Sequence, residues 1–314
     1  MQKGTIKFGI HFHPEGVDFE TVKVLCQKAE ELNYDLFTIT DHFLNMDNSK
    51  GLVDHPLEAW TVLSGLAAVT KKIPLGPLVS CAHYRQPTVL AKMATTVDII
   101  SGGRLVFGIG AGWYRDEFEA FLGKFPSLKE RLAGLDDAVQ ICKSMFENEN
   151  TKFTGRIYSA NNTLNLPKPV RGRIPIMVGG AGEKTLRIMA KYADIAHVWD
   201  HFLPSELRQR LQSLRKHCVE VGRSIEDLVI ATGLNVILTP KPEIIRSEIQ
   251  RISEMRKISL VEAEHIVNKT VGSENILETI RQCRDLGVSL ITLVGLEFDE
   301  LDKFQDEVVL KLNN

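Results

Sequence analysis

Apolar positions along the chain follow two rhythms that take turns. Short apolar runs such as "IKFGIHF" (6–12) and "DLFTITDHF" (35–43) read as buried strands. Between them, Val22, Leu25, Cys26, Ala29 and Leu32 recur at helical spacing and predict helix one. The pattern then predicts helix two in "HPLEAWTVLSGLAAVTKK", with a proline near its first turn, strand three in "IPLGPLVSC" and helix three in "QPTVLAKMATTVDIIS". "RLVFGIGAG" is strand four and "SLKERLAGLDDAVQICKSMF" helix four. Residues 150–173, rich in Gly, Asn and Pro, break the rhythm and predict a hairpin-like insertion. It resumes with "IPIMVGG" as strand five, "EKTLRIMAKYA" as helix five, "DIAHVWD" as strand six and "PSELRQRLQSLRKHCVEVG" as helix six. "DLVIATGLNVIL" is strand seven, a helical region over 241–287 ends at Gly287, a helix C-cap, and "VSLITLVGL" is strand eight before a closing helix.

Eight βα units predict an α/β fold, a TIM (β/α)8 barrel with an insertion after strand four, in one domain spanning 1–314. The composition, 44% hydrophobic and 25% charged, is that of a globular chain with a large core rather than a disordered one. A formal net charge of −2 argues against a nucleic-acid partner. No apolar run reaches the length that spans a bilayer, and "MQKGTIKFG" lacks the apolar segment of a signal peptide, so the expectation is a cytoplasmic protein with no membrane partner. The five cysteines are odd in number and carry no C-x-x-C spacing, which suggests neither a disulfide framework nor a zinc knuckle.

In such a barrel the βα loops form the catalytic face and the αβ loops the opposite one. "SGGR" (101–104) joins helix three to strand four, so Gly102 and Gly103 read as a helix cap and turn on the stability face. "GIGAGW" (108–113) ends strand four on the catalytic face. There Gly110, Ala111 and Gly112 either admit a planar ligand close to the backbone or make a tight bend by packing, and position alone does not choose. "VGGAGEKT" (178–185) opens helix five, where backbone N–H groups and the helix dipole favour an anion such as phosphate. Neither stretch matches a dinucleotide fingerprint or a P-loop.

His11 and His13 share one face of strand one, a spacing that also suits a metal-dependent hydrolase. That reading needs further ligands. Strand five offers none, and strand six offers His197, with His201 just beyond; Glu297 and Asp299 follow strand eight. Asp41 and His42 end strand two, either as a proton-handling pair or as a turn cap beside a packed ring. His83 and Arg85 lie at the same rim, with Trp113 and Trp199 as aromatic walls.

The motifs "TITDHF", "PLGPLVSCAHYRQPTVLAKMATTVDIISGGRLVFGIGAGW", "ERLAGLDDAV", "FTGRIY", "LPKP" and "PIMVGGAGEKTLRIMAKYAD" together resemble the bacterial luciferase-like superfamily, and within it the oxidoreductases that use the deazaflavin coenzyme F420. The resemblance implies a hydride-transferring enzyme acting on a small organic molecule, with an FMN-dependent monooxygenase as the alternative. A metal hydrolase and a non-catalytic flavin-binding barrel come after these. It implies a strand-three bulge with a non-prolyl cis peptide at Pro77-Leu78, Leu78 against the cofactor ring and Ser80 nearby. It further implies His42 near the hydride-transfer position with Asp41 beside it, and Gly110, Ala111, Gly112 and Asp116 along the cofactor. Gly179, Gly180, Ala181 and Gly182 would hold its phosphate, while His11, His13 and Trp113 would line the substrate pocket, with no metal. Family members that oxidise a sugar phosphate carry a glutamate where this chain has Trp113, which makes that substrate unexpected. A homodimer is expected by analogy.

Overall fold

The structure, a computed structural model, describes residues 5–45, 56–199 and 204–313. Strands β1 (Lys7–Phe12), β2 (Leu36–Ile39), β3 (Leu75–Pro77), β4 (Ser80–Cys81) and β5 (Phe107–Gly110) come first. They alternate with helices α1 (Phe19–Glu31), α2 (Ala59–Val69) and α3 (Pro87–Ser101). After β5 the chain makes a short helix, α4 (Arg115–Leu122), and a long one, α5 (Leu128–Glu147), which begins with a capping box between Ser127 and Glu130. The insertion is an antiparallel hairpin of β6 (Asn150–Thr154) and β7 (Ser159–Leu164). Then follow β8 (Ile176–Gly180), α6 (Glu183–Tyr192), β9 (Ile195–Val198), α7 (Pro204–Glu220) and β10 (Val229–Asn235). Helices α8 (Pro242–Arg256), α9 (Leu260–Val267) and α10 (Ser273–Asp285) lead to β11 (Leu290–Val294). A last helical stretch runs as α11 (Glu300–Phe304), a π-helical turn and α12 (Leu310–Asn313).

The parallel sheet runs in the order β3-β2-β1-β11-β10-β9-β8-β5-β4. Its two outermost members, β3 and β4, are halves of one strand interrupted at Leu78-Val79, so the sheet meets itself and the fold is an eight-stranded barrel. The seam is closed by Leu75 N–H donating to Arg104 O (3.2 Å) and Val106 N–H donating to Leu75 O (2.9 Å). The peptide between Leu78 and Val79 is cis, one residue later than the bulge expected at Pro77-Leu78. Strand three is broken, where the residue pattern by itself reads as one run and the resemblance implies a bulge. The predicted helical region over 241–287 is three helices rather than one, and among the described residues helix two starts at Ala59, capped by the Glu58 carboxylate rather than opened by the proline.

Side-chain alternation sorts the barrel interior into tiers. Leu36, Leu78, Met177, Ile195, Ala231 and Leu290 make an apolar plug toward the strand starts. Two residues further along β1, β2, β9 and β11 stand His11, Thr38, His197 and Thr292, all buried. One step more brings His13, Trp199 and Asn235 to the mouth. The "SGGR" turn is structural: Gly102 caps α3 with φ 69°, and Arg104 donates to carbonyls of Ala67, Thr70, Ile73 and Ser101, clamping α2, β3 and α3 on the stability face. Among the described residues no helix is long and apolar enough to cross a membrane.

Two glycines make the seam possible. A Cβ on Gly76 would lie 2.0 Å from Val106 O, and one on Gly108 would lie 1.9 Å from Pro77 O. Backbone, not a movable side chain, occupies the space. Gly76→Ala and Gly108→Ala are therefore expected to lower stability by ~3 kcal/mol or more in urea denaturation, as changes that force the backbone apart do. Gly182→Ala, where the nearest atom is Thr185 Oγ1 at 3.9 Å, should cost less than ~1 kcal/mol. Equal losses at all three would refute the seam argument.

Candidate functional site

The catalytic end of the barrel is organised by a buried carboxylate that sequence reasoning passed over. Glu117, in the first turn of α4, has a fully buried side chain. Its Oε1 accepts the backbone N–H groups of Phe43 (2.7 Å) and Leu44 (3.0 Å). Its Oε2 accepts His42 Nδ1–H (2.8 Å) and the Tyr84 hydroxyl. Burial alone would raise its pKa, but the hydrogen bonds from His42, Tyr84 and Leu44 outweigh that and hold it below the ordinary glutamate range. The carboxylate takes the proton side of His42 at Nδ1, which leaves Nε2 bare when the ring is neutral. The His42 ring meets Trp113 edge-on at 5.7 Å, and Trp113, 61% exposed, stacks on Tyr114.

Asp41 does not hold His42. Its carboxylate accepts Arg85 in two bonds (2.7 and 2.9 Å) and the Ser80 hydroxyl (2.7 Å), and Ser80 in turn accepts Trp60 Nε1–H (2.8 Å). Arg85 also binds Glu58, which caps α2 through Trp60 N–H and Thr61 N–H. Asp41, Ser80 and Arg85 thus form a network that fastens the end of strand two to the second half of strand three and to the loop after it. His83 lies apart, accepting from Tyr158 of the hairpin at Nδ1 and donating from Nε2 to Arg131 O. Asp116 is exposed, and its neighbour Glu117 is the carboxylate that enters the site.

The floor is Val79, half-buried, while Leu78 points into the apolar plug. The glycines at the ends of strands four and five pack closely against protein. A Cβ on Gly110 or Gly179 would strike Val79 (2.7 and 2.9 Å), and one on Gly112, at φ 74°, would strike Cys81 Sγ and Phe118. Ala111 lies between the two glycines of the turn and packs against the core. At the far edge, Gly182 begins α6 with no side-chain cap, so the first-turn N–H groups stay available to an anion after Gly179, Gly180 and Ala181. The Glu183 carboxylate is held instead by His217 Nε2 at 2.7 Å.

Beneath the mouth the histidines are neutral. Thr38 gives its hydroxyl proton to Ile10 O, so it accepts from His11 Nδ1–H (3.0 Å). Thr292 donates to Thr232 O and accepts from His197 Nε2–H (2.9 Å), leaving His197 Nδ1 a buried acceptor without a partner. His13 stacks edge-on against His11 at 4.8 Å, and its Nε2 is likewise buried and unpartnered. Burial first, then neighbouring His42 and Arg251, lowers the His13 pKa to about 4; burial lowers that of His197 to about 3 and pulls His11 well down. Among the described residues no group of three or more His, Cys, Asp or Glu side chains could hold a metal ion; His201 lies outside them.

Neutral rings in the folded state give stability a definite pH dependence. The folded pKa values of His13 and His197 lie below the ordinary 6.5. The unfolded chain therefore binds protons that the folded one refuses as pH falls below 6.5, and stability drops until about pH 4 for His13 and 3 for His197. Each ring adds up to ~1.4 kcal/mol per pH unit in that window. Urea midpoints measured from pH 7.5 to 5 should fall, and His197→Gln should flatten the slope. An unchanged slope would contradict the neutral-tier assignment.

The geometry can be set beside known proteins. The sequence model of the luciferase-like monooxygenase family matches residues 5–297. Pyrimidine monooxygenase RutA of Enterobacter cloacae is 24% identical over 299 residues, covering 92% of this chain and 80% of the relative. The 5,10-methylenetetrahydromethanopterin reductase of Archaeoglobus fulgidus is 32% identical over 189 residues, 60% of this chain and 52% of that protein. Among solved structures, an F420-dependent secondary alcohol dehydrogenase in complex with an F420-acetone adduct superposes with TM-score 0.84 at 17% identity, over 97% of this chain and 98% of the other. The coenzyme F420-dependent tetrahydromethanopterin reductase of Methanopyrus kandleri does so with 0.80 at 18%, over 98% and 100%. These two show the shared barrel fold. The match over residues 5–297 identifies the chain as a member of the luciferase-like monooxygenase family of oxidoreductases.

Proposed function

We propose that the protein is a coenzyme F420-dependent oxidoreductase that moves a hydride between the deazaflavin C5 and a small organic substrate. The observation that carries this reading is the Glu117–His42 pair. A hydride leaving or reaching a carbon that bears oxygen must be accompanied by a proton, and His42 Nε2 is positioned to handle one. The site suits a flat ring with an anionic tail: Val79 is an apolar floor, Trp113 and His42 are walls, and the uncapped start of α6 is a phosphate seat. Bound F420 would supply two-electron hydride chemistry. His42 Nε2 takes the proton of a substrate hydroxyl as it becomes a carbonyl, or gives it back in the reverse direction. Glu117 fixes the ring, while His11 and His13 offer neutral polar edges to the substrate. The 32% identical reductase relative supports the direction of this choice.

The second reading, an FMN-dependent monooxygenase, is favoured by the match to a pyrimidine monooxygenase across 92% of the chain. Titration of the purified protein with F420 and with FMN separates them. F420 is expected to bind and FMN to bind more weakly by ten-fold or more; tight FMN binding without F420 binding would overturn the first reading. His42→Ala should lower turnover by roughly 100-fold or more while changing cofactor affinity by less than about three-fold, as loss of a general acid–base does. Unchanged turnover would remove His42 from the chemistry.

A further inference from the structure

One polar cluster at the mouth takes no part in the site described so far. Asn235 ends β10, and the same alternation that aims His13 and Trp199 at the mouth aims Asn235 there. Its amide donates to Glu248 Oε1 (3.1 Å), which pins α8 to the barrel. Glu248 then accepts Arg251 Nε–H and Nη2–H, both at 2.7 Å. Those bonds use one edge of the guanidinium, so Nη1 carries no hydrogen bond among the described residues. Arg251 keeps 46% of its side chain exposed, whereas Glu248 keeps only 18%.

Across the mouth stands His13. Asn235 is in register with Val294 of β11, and β11 pairs with β1, so the two strand ends are separated by one intervening strand, roughly 10 Å. His13 Nε2 is buried without a hydrogen-bond partner, an unfavourable state that a ligand would complete. Both His42 and Arg251 are near enough to His13 for their charges to lower its pKa. One side of the mouth is thus equipped for proton transfer and the other carries a cation beside a polar atom that has nothing to bond.

We propose that the substrate is anionic and that Arg251, with His13 Nε2 as second donor, holds its carboxylate or phosphate at the β10–α8 edge. This rests on the oxidoreductase reading for the word substrate, but the anion site stands on its own residues. In the tautomer with the proton on Nε2, His13 donates one hydrogen bond to the anion, and Arg251 Nη1 donates another without surrendering Glu248. Glu248 plays the opposing part. It orients the guanidinium and at the same time competes electrostatically with the incoming anion, so its removal should tighten anion binding while removal of Arg251 weakens it.

The test uses the full chain without F420 or FMN, so its outcome is independent of which cofactor the protein takes. Calorimetric titrations with benzoate and with inorganic phosphate are compared with benzamide, the uncharged counterpart of benzoate. Wild type is expected to bind an anion at least ten-fold more tightly than benzamide, with the preferred anion identifying carboxylate or phosphate as the ligand group. Arg251→Gln should lose that preference, Arg251→Lys should keep part of it, and Glu248→Gln should strengthen it several-fold. Arg115→Gln, on the exposed start of α4 at 62% side-chain exposure, should leave binding unchanged. Benzamide binding as well as benzoate, or Arg251→Gln binding anions like wild type, would overturn the proposal, as would Glu248→Gln weakening them.

Discussion

A carboxylate removed from water is tolerated only when every lone pair finds a donor, and Glu117 meets that condition with four. The donors come from separate parts of the chain: the loop after strand two supplies His42, Phe43 and Leu44, and the loop after strand three supplies Tyr84. Removing one partner of such a buried pair typically costs ~3–5 kcal/mol, so these segments cannot drift apart cheaply. The constraint reaches function because one of the four donors is an imidazole nitrogen. Satisfying Glu117 and orienting His42 are one event.

The same economy explains the barrel interior. An apolar plug closes the stability end, and above it two histidines are kept uncharged by burial and held in one tautomer by threonine hydroxyls whose own protons are already committed. Among the described residues, charge at the rim is carried by His42 with Glu117 on one side and by Arg251 with Glu248 on the other. Asp41 and Arg85 neutralise one another and act through shape, fastening the broken third strand. Chemistry and architecture are divided between two carboxylates that the sequence does not distinguish.

Much of this was legible in the residue pattern. Period-two and helical runs revealed the βα units, and adjacency to the end of strand two pointed to His42. What the pattern did not disclose depends on contacts between distant segments. The bulge falls at Leu78-Val79, beside a seam where Gly76 and Gly108 let the backbones touch, and no local signal sets that register. The resemblance points to Asp116, whereas it is the neighbouring Glu117 that enters the site. Choosing between them requires the phase of α4, which "RDEFEAFL" followed by Gly123 could have supplied through its acidic first turn and the burial of Phe118. Arg251 stayed invisible inside a stretch read as one helical region, since its meaning comes from Glu248 and Asn235.

The central claim is that Glu117 fixes which nitrogen of His42 bears the proton. Nitrogen-15 NMR of the histidine rings, with His42 assigned by its absence in His42→Ala, reads that directly. For the neutral ring, the account requires a single tautomer protonated at Nδ1 with a bare Nε2, lost in Glu117→Gln. A His42 protonated at Nε2, or one exchanging between tautomers with Glu117 intact, would contradict it.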